Sequence, residues 1–309
     1  MKILVTGGAG FIGSHLVDAL IEKGHQVAVV DDLSTGRKEN LNSKAGFYQL
    51  GIRDEKLAEV FSEEKPQAVF HLAAQIDVRK SVADPVWDAE INILGSLKVL
   101  ENCQRAGVKK VIFASTAATY GDTTSLPTPE DCSPQPASPY GIAKLTIEYY
   151  LRYFWQVFKV PYVVLRYANV YGPRQNSQGE AGVVAIFCDK LLKGQQPVIN
   201  GDGRQTRDYI YVADVVAANL LALNSDKVGI FNISTGVETD VNEIAGLIKI
   251  NIETAIEFTH GPAKEGEQQK SCLDSTKVRE ELGWRPEIKL AEGIKKTVEW
   301  FKAVNKITL

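Results

Sequence analysis

Short apolar runs rich in β-branched residues alternate with helical periodicity through the first half of the chain. Ile3 to Val5 precedes a helical pattern from Phe11 to Lys23, and a second apolar run covers Gln26 to Val30. Such alternation predicts parallel βαβ units, because parallel neighbours need a crossover that a helix supplies. Further strands are expected near Phe47 to Leu50, Ala68 to His71, Lys110 to Ser115 and Tyr162 to Arg166, with an amphipathic stretch over Trp87 to Ala106. Ser138-Pro139 marks another helix start, a cap residue followed by proline at the first helical position. After about Ala168 glycine-rich loops at Gly172-Pro173, Gly179 to Gly182 and Gly201 to Gly203 interrupt shorter elements. The pattern predicts an α/β chain with a doubly wound parallel sheet over residues 1–168 and a smaller α/β unit over 169–309, some of whose segments return to the first. No repeat or flexible linker separates the halves, so they should meet at a cleft.

Composition narrows the class. Of 309 residues, 44% are hydrophobic and 24% charged, as in ordinary globular proteins. A formal charge of -3 provides no basic field, so no nucleic-acid partner is expected. Cys103, Cys132, Cys188 and Cys272 are far apart with no Cys-x-x-Cys pair, which points to reduced thiols and no metal site. The chain opens directly on a strand, with no signal-peptide pattern, and no apolar stretch approaches the roughly 20 residues of a membrane span. A cytoplasmic protein without a membrane partner is the expectation.

Candidate chemistry comes from two spacings. Gly7-x-x-Gly10-x-x-Gly13 follows the first strand and opens a helix: a tight turn, a close backbone approach to a pyrophosphate and tight helix packing. Asp31-Asp32 ends the second strand, where a carboxylate can hold ribose hydroxyls and repel a 2′-phosphate. NAD rather than NADP is therefore the expected cofactor of a Rossmann-like unit. Tyr140 and Lys144 share one helix face, which places an ammonium near a phenol and favours the phenolate as a general base. Thr116 closes the fifth strand and can bind the substrate oxygen that Tyr140 deprotonates. Ser115 is expected as a cofactor or backbone contact, and His71 as a strand-end histidine with its hydrogen bonds satisfied.

The motifs Thr6-Gly7-Gly8-Ala9-Gly10-Phe11-Ile12-Gly13-Ser14, Asp31-Asp32-Leu33-Ser34-Thr35-Gly36, His71-Leu72-Ala73-Ala74-Gln75, Asn92-Ile93-Leu94-Gly95, Ser115-Thr116-Ala117-Ala118-Thr119-Tyr120-Gly121, Pro139-Tyr140-Gly141-Ile142-Ala143-Lys144 and Arg166-Tyr167-Ala168-Asn169-Val170-Tyr171-Gly172 span most of the chain. In them it resembles the extended short-chain dehydrogenase/reductase superfamily, and most of all the UDP-glucose (UDP-galactose) 4-epimerases. The resemblance implies that Tyr140 takes the proton of the sugar C4 hydroxyl as NAD+ takes the hydride, giving a 4-keto sugar that is reduced on its other face. It implies cofactor contacts at Phe11, Ile12, Ser34, Thr35, Gly36, Ile52, Leu72, Ala73, Ala74, Gln75 and Asn92, with Tyr167 beside the nicotinamide. Lys144 would hold the ribose. Arg207 would clamp the diphosphate, Asn169 contact the phosphates, Val183 approach the uracil, and Lys264 and Glu267 contribute from a late loop. Homodimerisation through the helix after Asn92 and the helix of Tyr140 is also implied.

Three departures from the family pattern stand out. Gly51 replaces an acid near the adenine amine, leaving backbone, Ile52 or water to recognise it. Lys264 replaces a planar arginine. Ala117 and Ala118 stand where related dehydratases carry Asp-Glu, which favours simple C4 redox chemistry over water elimination. A small Ser271 would leave room for a 2-acetamido group, so UDP-N-acetylhexosamines join UDP-glucose and UDP-galactose as expected substrates. Other readings are a uronate epimerase, dehydratase, decarboxylase or reductase on the same frame, and a non-catalytic NAD sensor.

Overall fold

The structure is a computed structural model and describes residues 1–177, 182–263 and 268–307. The first βαβ unit is β1 (Lys2–Thr6), α1 (Phe11–Glu22) and β2 (Gln26–Val30). It is followed by β3 (Gly46–Tyr48), α2 (Leu57–Glu64) and β4 (Ala68–His71). Two short helices, α3 (Val78–Ala83) and α4 (Pro85–Ala89), run into a π-helical turn over Glu90–Gly95 and then α5 (Ser96–Arg105). The stretch expected as one amphipathic element is thus interrupted, and Asn92 lies in the widened turn. Strand β5 (Lys110–Thr116) and helix α6 (Pro139–Phe158) come next. The Ser138 side chain accepts a hydrogen bond from Gly141 N, so the predicted cap starts α6.

Strand β6 (Tyr162–Tyr167) is followed by β7 (Asn169–Tyr171), α7 (Val183–Leu192) and β8 (Val198–Asn200). Then come β9 (Thr206–Arg207), β10 (Tyr209–Tyr211), α8 (Val212–Asn224), β11 (Gly229–Ile233), β12 (Thr239–Asp240) and α9 (Val241–Ile252). The last elements are β13 (Thr259–Gly261), β14 (Lys270–Ser271), α10 (Thr276–Leu282) and α11 (Leu290–Ile307).

Seven strands form one parallel sheet in the order β11-β6-β5-β4-β1-β2-β3. Alternate residues face opposite sides, so Ile3 and Val5 enter a core with Leu16 and Val215, while Leu4 enters a second core with Val99 and Ile147. Burial on both faces explains why these strands read as continuous apolar runs. Strand β11 and helix α8 come from the second half of the chain yet complete this sheet and its first core. A third core gathers α7, α9 and α11 around Tyr171 and Tyr211. The remaining strands form small sheets: β10 with β7, β9 between β12 and β14, and β13 with β8. No helix among the described residues is long and apolar enough to cross a membrane.

Candidate functional site

The glycine turn connects β1 to α1. Gly7 has φ +74, and a Cβ there would stand 2.7 Å from Ala73 N; a Cβ on Gly13 would collide with the Gly7 carbonyl oxygen. Only glycine lets the loops after β1 and β4 approach this closely. No side chain caps the start of α1 at Gly10, so its first N–H groups are left for an anion. Phe11 and Ile12 pack their side chains against the cores, so what they offer a ligand is backbone.

Asp31 is buried. Its Oδ2 accepts from Ala9 N at 3.0 Å and its Oδ1 from Leu33 N at 2.9 Å, which braces the glycine turn and holds Leu33 at φ 61. Burial raises the Asp31 pKa, and these two backbone donors pull it back down. Asp32 Oδ1 accepts from Ser34 N at 2.9 Å in the turn that leads through Thr35 to Gly36. Both acids therefore cap turns, with lone pairs to spare for ribose hydroxyls. A Cβ on Gly51 would lie 3.6 Å from Asp32 Oδ2, so an acid at 51 would face a like charge. Ile52 is buried in the second core, which removes its side chain from adenine recognition and leaves its backbone.

The loop Leu72, Ala73, Ala74, Gln75 is fixed by an ordered hydrogen-bond chain. Ala73 N donates to Thr6 Oγ1 at 3.3 Å, Thr6 Oγ1 lies 2.7 Å from His71 Nδ1, His71 Nε2 lies 2.8 Å from Ser96 Oγ, and Ser96 Oγ donates to Asn92 O at 2.7 Å. Since Ser96 spends its proton on Asn92, Nε2 of His71 carries the hydrogen and Nδ1 accepts from Thr6. Burial pushes the His71 pKa down to about 3, so the ring is neutral. Both ring nitrogens are satisfied, as expected for a structural histidine.

Three expected cofactor contacts have their side chains engaged elsewhere. Asn92 Oδ1 accepts from Gln75 N at 2.8 Å, and Nδ2 donates to Gln75 O and Asp88 Oδ1, each at 2.9 Å. Asn92 thus spends both amide donors on the loop and helix beside the cleft. Ser115 Oγ donates to Glu148 Oε1 at 2.5 Å, and Glu148 pairs with Arg166 at 2.5 Å, all buried. Only the Ser115 backbone remains for a ligand. Tyr167 is a core residue whose hydroxyl donates to Asn219 Oδ1 at 3.1 Å. Residue type matches the motif at all three positions, but the polar atoms have internal partners.

At the ends of β5 and α6 the chemical groups converge. Thr116 acts on the Tyr140 phenol, favouring its ionised form, and its Oγ1 accepts from Ala118 N at 3.2 Å. Lys144 Nζ donates to Ala114 O at 2.8 Å, 4.8 Å from the Phe113 ring centroid and 5.9 Å from that of Tyr140. Burial lowers the Lys144 pKa to about 8, against the charges of Asp88 and Glu148 that support its proton. Burial pushes Tyr140 up to about 12; the Thr116 hydrogen bond opposes this and the Asp88 charge adds to it. Desolvation prevails at Tyr140, and the protein groups by themselves leave it a neutral phenol.

In the second half of the chain, strand register brings Arg207, Ser271 and Asn169 close in the fold. Arg207 pairs with Ser271 on β14 and with Thr239 on β12, and its Nη1 donates to Thr206 O at 2.7 Å. Asn169 pairs with Tyr209, and its N donates to Asp208 O at 2.9 Å. Val183 is the first residue of α7. Lys264 and Glu267 lie outside the described residues. Asp208 escaped the sequence reading: buried between Arg207 and Tyr209, it accepts from Thr235 N, Thr235 Oγ1 and Gly236 N at 2.9, 2.6 and 2.9 Å and so holds the loop after β11. Asp88 escaped it too, although Asp88, Asn92 and Ser96 recur at helical spacing on the buried side of their segment.

A glycine cradle that any Cβ would fill, an uncapped helix start, an acid closing β2 and a Tyr–Lys pair beside a threonine fit NAD and define a dinucleotide-dependent redox site. Residues 3–234 match the model of the NAD dependent epimerase/dehydratase family, and the chain belongs to that family. A UDP-glucose 4-epimerase from Mycolicibacterium smegmatis is 46% identical over 309 residues, 98% of this chain and 99% of the relative. The crystal structure of a UDP-glucose 4-epimerase from Thermotoga maritima with UDP-glucose has 52% identity and TM-score 0.96, covering 99% of this chain and 100% of its own. That of a Thermus thermophilus UDP-glucose 4-epimerase in complex with NAD has 43% identity and TM-score 0.94, covering 98% and 99%.

Proposed function

We propose that this protein is an NAD-dependent UDP-hexose 4-epimerase, interconverting UDP-glucose and UDP-galactose. The observation that carries this reading is the composition of the turn after Thr116. Thr116, Tyr140 and Lys144 meet there, and Ala117–Thr119 form a short turn with no titratable side chain. Proton transfer is therefore provided at one sugar oxygen only, without the acid and base that elimination at neighbouring carbons requires.

Bound NAD supplies reversible two-electron oxidation and reduction at the sugar carbon. Tyr140 Oη takes the C4 hydroxyl proton and returns it when the ketone is reduced. Thr116 Oγ1 holds the same oxygen in line with Tyr140, and the Lys144 ammonium, fixed by Ala114 O, supplies positive charge beside the developing phenolate. Gly7, Gly10 and Gly13 with the start of α1 would hold the cofactor diphosphate, and Asp31 its ribose. Residues 1–168 chiefly serve the cofactor, and 169–309 the nucleotide sugar. Arg207 and Asn169 would take the diphosphate, and the small Ser271 beside Arg207 would admit a 2-acetamido group.

A homodimer is part of the proposal: Ile142, Tyr149, Tyr153 and Val157 expose an apolar stripe along one face of α6, and Leu94 is exposed near the start of α5. The four unpaired thiols suit the cytoplasm.

Proton NMR of the anomeric signals tests the activity. UDP-galactose and UDP-N-acetylgalactosamine, each mixed with the NAD-loaded protein, should both convert to their gluco epimers, and Tyr140→Phe should slow conversion by roughly 10²–10⁴-fold. Conversion of UDP-galactose alone removes the Ser271 argument. NAD binding without turnover of either sugar overturns the epimerase reading.

A further inference from the structure

Asp88 is 1% exposed, inside α4. Its Oδ1 accepts from Gln75 Nε2 and from Asn92 Nδ2, each at 2.9 Å, while Oδ2 is buried with no hydrogen-bond donor among the described residues. A buried carboxylate half satisfied in this way is rare, because an unmade hydrogen bond there goes uncompensated. Two groups on α6 feel its charge: it supports the proton of Lys144 and opposes ionisation of Tyr140. Glu148, also on α6, supports the Lys144 proton as well, but Glu148 is neutralised by Arg166 at 2.5 Å and further bonded by Ser115. His71, from β4, is neutral. Among these groups Asp88 alone is an acid without an ion-pair partner.

We propose that Asp88 is a positioning residue for the reaction: Oδ1 ties the Gln75 loop to the Asn92 turn, and the buried charge, with no hydrogen bond on Oδ2, sets the balance between Tyr140 and Lys144. This rests on the reading of Tyr140 as the proton acceptor. The carboxylate makes Tyr140 hold its proton more firmly while keeping Lys144 cationic. One oxygen receives both hydrogen bonds, so a neutral amide would keep that junction while removing the charge.

Asp88→Asn separates the two roles, because it keeps an acceptor oxygen and removes the charge. In the NAD-loaded enzyme the acid limb of the kcat profile for UDP-galactose should move down by about one pH unit or more. The near-ultraviolet tyrosinate titration, taken as the difference from the same variant carrying Tyr140→Phe, should move in the same direction. Unmoved midpoints with lowered thermal stability or NAD retention would make Asp88 merely structural and overturn the proposal. If Asp88→Asn does not fold, Asp88→Glu decides: with charge retained its acid limb should stay at the wild-type position while KM or NAD retention changes, and a displaced limb overturns the proposal. Wild-type protein that turns over no nucleotide sugar defeats the epimerase reading instead, and the tyrosinate difference still tests Asp88.

Discussion

The seven-stranded sheet and the small sheets around Arg207 are built on opposite plans. The region of β1, β4 and β5 rests on long parallel strands buried on both faces, and its polar groups are paired internally: Asp31 with the glycine turn, His71 with Thr6 and Ser96, Asn92 with Gln75. The other region carries Asn169, Arg207 and Ser271 on strands of two or three residues, joined in small sheets beside one buried acid, Asp208. A rigid frame suits a ligand common to the whole family. Short strands can exchange residues at little cost to the core, which suits the part of a site that varies from one relative to the next.

The harshest way to break this contrast is Gly13→Ala. The added methyl collides with the Gly7 carbonyl, so we expect a loss of about 3 kcal/mol or more and no NAD carried through gel filtration. Wild-type thermal stability and NAD content in this variant would show that the cofactor region is far softer than described.

A second test uses pH. His71 holds its proton less tightly folded, at about 3, than at its ordinary 6.5, so the unfolded chain binds the extra proton between those values. Stability from the neutral ring is complete above pH 6.5 and is lost as pH falls toward 3, on the order of 5 kcal/mol in all. His71→Gln should be less stable at neutral pH yet lose less on acidification, measured by urea unfolding across that window. Parallel acid slopes in the two proteins would remove His71 from the frame.

The smallest effect belongs to the other region. Arg207→Ala should raise KM for UDP-galactose by about tenfold or more, the loss of a charged hydrogen bond, while melting temperature and NAD content stay unchanged. A fall in NAD content would mean that the two regions are not independent.

What was legible in the sequence follows the same division. Gln26–Val30 and Ala68–His71 are strands with the bounds their apolar runs predict, and Ser138 and Pro139 open α6. Periodicity and caps are local, so a single chain displays them. Asn92, Ser115 and Tyr167 read as cofactor ligands by motif, but their polar atoms are spent on Gln75, Glu148 and Asn219, partners that only the tertiary structure brings near. The balance at Tyr140 was hidden for a related reason. Helical spacing revealed Lys144, while the desolvation of Tyr140 depends on the packing of α6 against β5 and α4. Asp88 left a local trace, a polar residue in phase with the apolar side of its segment, that a stricter count of the pattern would have caught.

Strand β11 gives the fold an order in time. It pairs with β6 along its full length, yet α7 and α8 are synthesised between the two. Until the ribosome has delivered Gly229 to Ile233, the sheet ends in the bare hydrogen-bonding edge of β6, open to any other strand that passes. The seven-stranded sheet therefore cannot be closed before nearly half of residues 169–309 exist, and a chain broken off early would leave an adhesive edge rather than a smaller working enzyme.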